Sequence, residues 1–255
     1  MRKPELLGRG LEAVTGLYNN SRFTERRLVL IPREETPLYA EDGLWTYHSH
    51  RFVVEPRYTR AYARAQAACG FDYAIRWRTH TVLWAAEQAV AVQGAFVECG
   101  TGRGWMASAI CEFLQWRDRP FYLFDSFMPT YPDESGHQPS SGRIHPNYAR
   151  SVDEVAANFA EWPGVRLMIG RIPEVLADTG PVAFLHIDLN NAVAEEHAVR
   201  FFWPKVVLGG AMIFDDYGFE GYEQQRESAD RLAAELGFRI LSLPSGQGLV
   251  IRESA

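Results

Sequence analysis

Long apolar runs are missing. No stretch approaches the ~20 consecutive apolar residues of a membrane-spanning helix. The opening segment, Met1-Arg2-Lys3-Pro4-Glu5, has no apolar h-region behind it. Cysteine is scarce: Cys69, Cys99 and Cys111 stand at spacings that suit neither a metal site nor a disulfide framework. They read as buried small residues in a reducing compartment. Positive charge is short as well. Lys and Arg number 26 against 32 Asp and Glu, a formal charge of −6, which argues against DNA or RNA as the main partner. The basic residues of 22–33 and 57–78 are expected on solvated faces. No P-loop, G-x-S-x-G elbow or H-E-x-x-H zinc motif occurs, nor any repeat. These absences describe a soluble cytoplasmic protein with no membrane span and no nucleic-acid partner.

What is present suffices for a core: 47% of 255 residues are apolar, enough for one large α/β domain with extra elements or two small ones. The most informative stretch is Phe96-Val97-Glu98-Cys99-Gly100-Thr101-Gly102-Arg103-Gly104. An apolar run meets an acid, glycines follow at every second position, and an amphipathic run extends from Trp105 to Trp116. That is strand, tight turn, helix. Glycine lets the backbone turn sharply and lets a ligand approach closely, and the helix N-terminus supplies free N–H groups. The dinucleotide fingerprint G-x-G-x-x-G needs one residue more, so a nicotinamide dehydrogenase is a distant reading. Asp125 ends the next apolar run, where its carboxylate can accept hydrogen bonds from both hydroxyls of a ribose. The E-x-G-x-G-x-G form with that second acid resembles motif I of the class I S-adenosylmethionine-dependent methyltransferases. Glu98, Gly100, Gly102 and Gly104 would seat the methionine part of the cofactor and Asp125 its ribose, with Cys99, Thr101, Ser126 and Asp188 as neighbours of the same site.

The remaining pattern alternates strands and helices. Residues 1–72 are Arg- and Tyr-rich and read as an N-terminal cover of helices and loops; 73–255 read as the catalytic domain. A helix is predicted over Tyr73–Val92, then strands at Pro120–Asp125, Val165–Gly170, Val182–Asp188 and Ala211–Asp215. The intervening helices are Ser151–Trp162, Ala192–Trp203 (stopped by Pro204) and Phe219–Leu236. A terminal hairpin is expected from Phe238–Leu243 and Gly248–Arg252. This gives a mostly parallel, seven-stranded sheet flanked by helices. Ser126–Tyr148 is a long loop with four prolines, His137 and His145, and such loops are usually lids or binding loops. His48 and His50 share the spacing of one strand face, but no third metal ligand is nearby.

Strand ends carry the second constellation. Asp188 ends one strand and Asp215-Asp216 the next, and ligands of open α/β sheets bind beyond the carboxyl ends of the strands. Three converging carboxylates repel one another unless a hard divalent cation joins them, and Mg²⁺ takes oxygen ligands. The bland alternative has Asp216 capping a helix and Asp188 bonding a turn.

Trp77-Arg78-Thr79-His80, Phe96–Gly104, Leu123-Phe124-Asp125-Ser126-Phe127, the Asp188 strand, Trp203-Pro204-Lys205 with Gly209-Gly210, and Asp215-Asp216-Tyr217 together resemble the macrocin O-methyltransferase family, from about Tyr73 to Arg252. That resemblance implies a class I methyltransferase, Rossmann-like sheet with a final antiparallel strand. It further implies S-adenosylmethionine and Mg²⁺ as cofactors, metal ligands at Asp188, Asp215 and Asp216, methylation of sugar hydroxyls of natural products, and a homo-oligomer. The family commonly has an aspartate acting as base two residues after the first ligand, where this chain has Asn190. An amide oxygen can coordinate a metal but takes no proton at neutral pH. The base would then be His137, His145, His197 or a metal-bound hydroxide. Two other readings stay open: a metal-independent methyltransferase acting on a phenol, carboxylate or amine, and a non-catalytic module that keeps the cofactor fold.

Overall fold

The computed structural model describes residues 39–128 and 151–253. It divides into two compact units, one ending at Arg51 and one starting at Phe52. In the first, strands β1 (Tyr39–Glu41) and β2 (Leu44–Thr46) pair antiparallel. Asp42 and Gly43 between them both take positive φ, 51° and 74°. A two-residue type I′ hairpin needs this, and Asp-Gly meets the need readily. Tyr47–His50 is irregular chain rather than a strand, so His48 and His50 do not form a pair on one strand face.

The second unit begins with helices α1 (Pro56–Cys69) and α2 (Arg76–Ala89). Then strands and helices alternate: β3 (Ala95–Cys99), α3 (Trp105–Leu114), β4 (Phe121–Asp125), α4 (Val152–Phe159), β5 (Val165–Ile169), β6 (Val182–Ile187), α5 (Ala192–Phe202), β7 (Val206–Phe214) and α6 (Glu223–Leu236), closing with β8 (Leu241–Ser242) and β9 (Gly248–Ile251). The sheet order is β5-β4-β3-β6-β7-β9-β8, with β9 antiparallel to β7 and β8. This is the mostly parallel seven-stranded α/β sheet that the sequence predicts. The order reverses between β3 and β6, which opens a crevice at their carboxyl ends.

Burial on both faces explains the apolar runs of the central strands, where every residue of β3 and β6 is buried. Alternation then sorts the side chains. Phe96, Phe184, Ile213 and Leu249 pack beneath α1, α2 and α3. Val97, Leu185, Met212 and Val250 pack beneath α5 and α6. The Phe96 ring lies 5.1 Å from Phe184 and 4.8 Å from Trp116. Helix α1 contributes Tyr58, Ala61, Tyr62 and Ala65 to the first core, and Arg57 Nε donates to the Phe113 carbonyl at 2.8 Å. Cys69, Cys99 and Cys111 are free and buried.

Several predicted boundaries shift: the helix predicted over Tyr73–Val92 is Arg76–Ala89, and the first strand of the terminal hairpin is only Leu241–Ser242. β7 starts at Val206, not Ala211, because Gly209-Gly210 lies in a bulge inside the strand. Its register against β6 slips between Val182 and Phe184. There Gly209 N–H donates to the Arg252 carbonyl at 2.8 Å and Arg252 N–H to the Gly210 carbonyl at 2.9 Å. α6 starts at Glu223, not Phe219, because Phe219 N–H is turned back to the Asp216 carbonyl at 3.2 Å and Gly218 N–H to Gly246 at 2.7 Å. The helix at Ser151 ends at Phe159, short of Trp162. Two side chains cap helices. Ser151 Oγ accepts from Glu154 N–H at 3.2 Å. Asn191 Oδ1 accepts from Val193 and Ala194 N–H at 3.1 and 3.0 Å. Among the described residues, no helix is long and apolar enough to cross a membrane.

Candidate active site

The glycine turn joins β3 to α3. A Cβ on Gly100, where φ is +93°, would sit 1.8 Å from the Asp188 carbonyl oxygen. This glycine therefore brings the cofactor turn against the end of β6, where Asp188 N–H also donates to the Cys99 carbonyl at 2.8 Å. At Gly104, φ +89°, a Cβ would meet the Phe159 ring at 2.7 Å, so that position serves packing on α4. Gly102 N–H donates to Asp125 Oδ2 and Phe127 N–H to Asp125 Oδ1, both at 2.7 Å. The Asp125 carboxylate is held by loop amides and keeps lone pairs for further donors. Burial raises its pKa, and the amide bonds from Gly102, Phe127, Thr101 and Ser126 only partly oppose that. Ser126 Oγ accepts from Met128 N–H at 3.3 Å. The Thr101 hydroxyl is buried without a partner. The Cys99 side chain packs in the core with Val97, Phe124 and Ile187, so only its backbone faces the turn; burial, then the Glu98 charge, push its thiol up.

Glu98 is buried and faces sideways along the sheet. Its Oε1 lies 3.0 Å from His186 Nδ1, and Oε2 has no hydrogen-bond partner. His186, fully buried on β6, presents Nε2 to Asp215 Oδ1 at 3.5 Å, an ion-pair distance too long for a hydrogen bond. Burial works against a charge on His186, yet Asp215 and Glu98 on either side outweigh it and push its pKa up to about 10.

Asp215 and Asp216 follow β7 and share one cation. Arg78 Nη2, reaching from α2, bonds Asp215 Oδ2, Asp216 Oδ1 at 2.9 Å and the Asp215 carbonyl at 3.1 Å. Gln247 Nε2 donates to Asp215 Oδ1 at 2.7 Å and is itself fixed by Ser245 Oγ–H, which donates to Gln247 Oε1 at 2.9 Å. Arg78 is thus not on a solvated face as its basic stretch suggested; only 11% of its side chain is exposed. Burial alone would raise the Asp215 pKa, but Arg78 and His186 hold it well below the carboxylate range. Asp216 goes the other way, to about 6, through burial and the Asp215 charge against Arg78. Asp188 is pushed well above its ordinary value by burial and then by Asp215 and Asp216. Glu195, buried in the first turn of α5, is raised by burial and then by Asp216 and Asp188.

The donor chemistry fits a hard divalent cation. Five buried or partly buried carboxylates (Glu98, Asp188, Glu195, Asp215, Asp216) face two cationic groups, Arg78 and His186; burial raises three of them and the charges of their acidic neighbours add to it. Asp188 and Asp216 have capacity left, whereas both oxygens of Asp215 are engaged. Even so, no three Asp, Glu, His or Cys side chains already stand as a metal centre among the described residues.

Asn190 sits in the loop before α5 with φ +54°. His197 is exposed on α5. His137 and His145 lie outside the described residues. Sequence reasoning missed His186, Gln247 and Glu195 and gave Arg78 no role. A signal existed for His186: it stands two residues before Asp188, on the same face of a fully buried strand.

The model of the macrocin-O-methyltransferase (TylF) family matches residues 58–235. Among solved structures the chain is similar to the O-methyltransferase NovP, at 23% identity and TM-score 0.61 over 69% of this chain and 80% of that one. It is also similar to the calicheamicin methyltransferase CalS11, at 14% identity and TM-score 0.54 over 77% and 93%. A third is an O-methyltransferase from Bacillus cereus in complex with SAH, at 14% and 0.54 over 79% and 94%. No curated protein sequence matches the chain. The family match covers more than half of the sequence, including the glycine turn, Asp125 and all three strand-end aspartates. The chain therefore belongs to the macrocin-O-methyltransferase family of S-adenosylmethionine-dependent O-methyltransferases.

Proposed function

We propose that this chain methylates a hydroxyl of a sugar, glycosylated natural product or polysaccharide, with Mg²⁺ held at Asp188, Asp215 and Asp216. The observation that carries this reading is the contact of Gly100 with the Asp188 carbonyl, because it sets the cofactor turn directly against the acidic strand ends. Support for the acceptor comes from one structural neighbour: CalS11 is a TDP-rhamnose 3'-O-methyltransferase.

When bound, the cofactor supplies a methyl group on a sulfonium, and Mg²⁺ supplies Lewis acidity toward the acceptor oxygens. The protein's own part is placement. Asp125, fixed by the Gly102 and Phe127 amides, accepts the ribose hydroxyls. The glycine turn leaves room for the methionine part. Arg78 and Gln247 hold Asp215 in one orientation. Alignment of hydroxyl oxygen, methyl carbon and sulfur can remove roughly 7–11 kcal/mol of barrier at best. Asn190 cannot take the hydroxyl proton, and His145 and His137 are the bases this reading nominates.

The test is Mg²⁺ titration by calorimetry into protein saturated with S-adenosylhomocysteine, beside Asp216→Asn. One site, lost in the variant, together with a fall in turnover of more than about a hundredfold and retained S-adenosylhomocysteine binding, is expected. Undiminished turnover in Asp216→Asn overturns the metal's role. One observation favours a second reading: Arg78 already neutralises Asp215 and Asp216. In that case the arginine serves as the cation, the acceptor is a more readily ionised phenol, and EDTA leaves activity intact.

A further inference from the structure

A buried polar row crosses four strands at the carboxyl end of the sheet. Glu98 on β3 and His186 on β6 are register partners. Asp215 directly follows β7, and Gln247 directly precedes β9. The side chains meet in order: Glu98 Oε1 to His186 Nδ1 at 3.0 Å, His186 Nε2 to Asp215 Oδ1 at 3.5 Å, and Gln247 Nε2 to Asp215 Oδ1 at 2.7 Å. All four residues are at most 3% exposed. The same face of the sheet one step back is apolar, with Phe96, Phe184, Ile213 and Leu249. Polar side chains in such a place are costly unless paired, and a paired buried row fixes its members in one arrangement.

The row has a distinctive position. Glu98, at one end, is the acid that leads into the glycine turn; Asp215, between His186 and Gln247, is the aspartate that Arg78 ties to Asp216. His186 is the member of the row that meets both Glu98 and Asp215. We propose that His186 is a positioning residue that couples the cofactor turn to the strand-end aspartates, so that the placement of Asp215 sets cofactor affinity through Glu98. This rests on the reading of the turn as the S-adenosylmethionine site. The coupling is carried by a contiguous chain of contacts between side chains rather than by shared ligands.

A double-mutant cycle tests it without metal. S-adenosylhomocysteine affinity is measured by calorimetry in EDTA for the unmodified chain, Asp215→Asn, His186→Leu and the double variant. Groups coupled through a shared network deviate from additivity, and independent ones do not. Asp215→Asn is expected to weaken binding about fivefold to tenfold in the unmodified background and less than about twofold once His186 is Leu. The same loss from Asp215→Asn in both backgrounds, or in neither, overturns the proposal. Should His186→Leu not fold, His186→Gln, which keeps one polar contact, completes the same cycle with intermediate coupling expected. Failure of S-adenosylhomocysteine to bind the unmodified chain would overturn the cofactor reading instead, and so is distinguishable. A residue needed only for packing would lower the thermal midpoint and leave the cycle additive.

Discussion

Gly100 has two reasons to be glycine that have nothing to do with ligand contact. Its φ of +93° is one, and a Cβ landing 1.8 Å from the Asp188 carbonyl is the other. Gly100→Ala should therefore destabilise the fold by about 3 kcal/mol or more, visible in urea denaturation before any assay is run. Phe184 offers a contrast within the same unit: fully buried between Phe96 and its neighbours, it should cost about 3–5 kcal/mol on replacement by Ala with the cofactor turn unmoved. At this scale the sequence displayed the residues that act through local pattern. The glycine spacing, Asp125 and the strand-end aspartates are each visible from their immediate neighbours. Arg78 and Gln247 are not, because they converge on Asp215 from α2 and the turn before β9 and nothing local marks them as partners, whereas for His186 the only local sign is its place two residues before Asp188 on a buried strand.

An element whose chemistry is complete within a few residues was legible too: the helix predicted to open at Ser151 has that residue as its cap. Asn191 caps α5 through two amides, and Asn191→Ala should lower stability by about 1 kcal/mol, measurable as a shift of the denaturation midpoint at constant slope. Since that cap directly follows Asn190, a weakened cap should also loosen the Asp188–Asn190 loop, with faster amide exchange there. β7 was misjudged because Val206-Val207-Leu208-Gly209-Gly210 reads as an apolar run broken by a loop. In the fold, the break is a bulge closed by Arg252 on the antiparallel neighbour, a partner more than 40 residues later in the chain. The late start of α6 has a similar cause, since the turns of 215–222 are held by Gly246.

Across the whole molecule, the surplus of buried acid makes stability depend on pH. The Asp216 carboxyl binds its proton more tightly folded than unfolded, with a pKa of about 6 against 3.8, and Asp188 and Glu195 shift in the same direction. Their contribution is fully present below the unfolded value and is lost as pH rises through the folded one. Asp215, held low, acts in the opposite sense but only below its ordinary range; His186, raised from 6.5 to about 10, acts in the same sense as Asp216, its contribution complete below 6.5 and lost as pH rises from there through about 10. The metal-free protein should melt a few degrees lower at neutral pH than near pH 5. Calorimetric scans should show that difference shrink in Asp216→Asn, and Mg²⁺ should restore the midpoint at neutral pH. The sheet's two borders are unequal in a way that bears on self-association. β8 is two residues long, while β5, at the other border, runs five residues with Ile169 exposed. The short border gives an incoming strand almost nothing to zip onto, which guards it against runaway stacking. Strand addition to this sheet has to recruit the β5 side, and an assembly of this unit that leaves the sheet's borders open is built from side-chain faces instead.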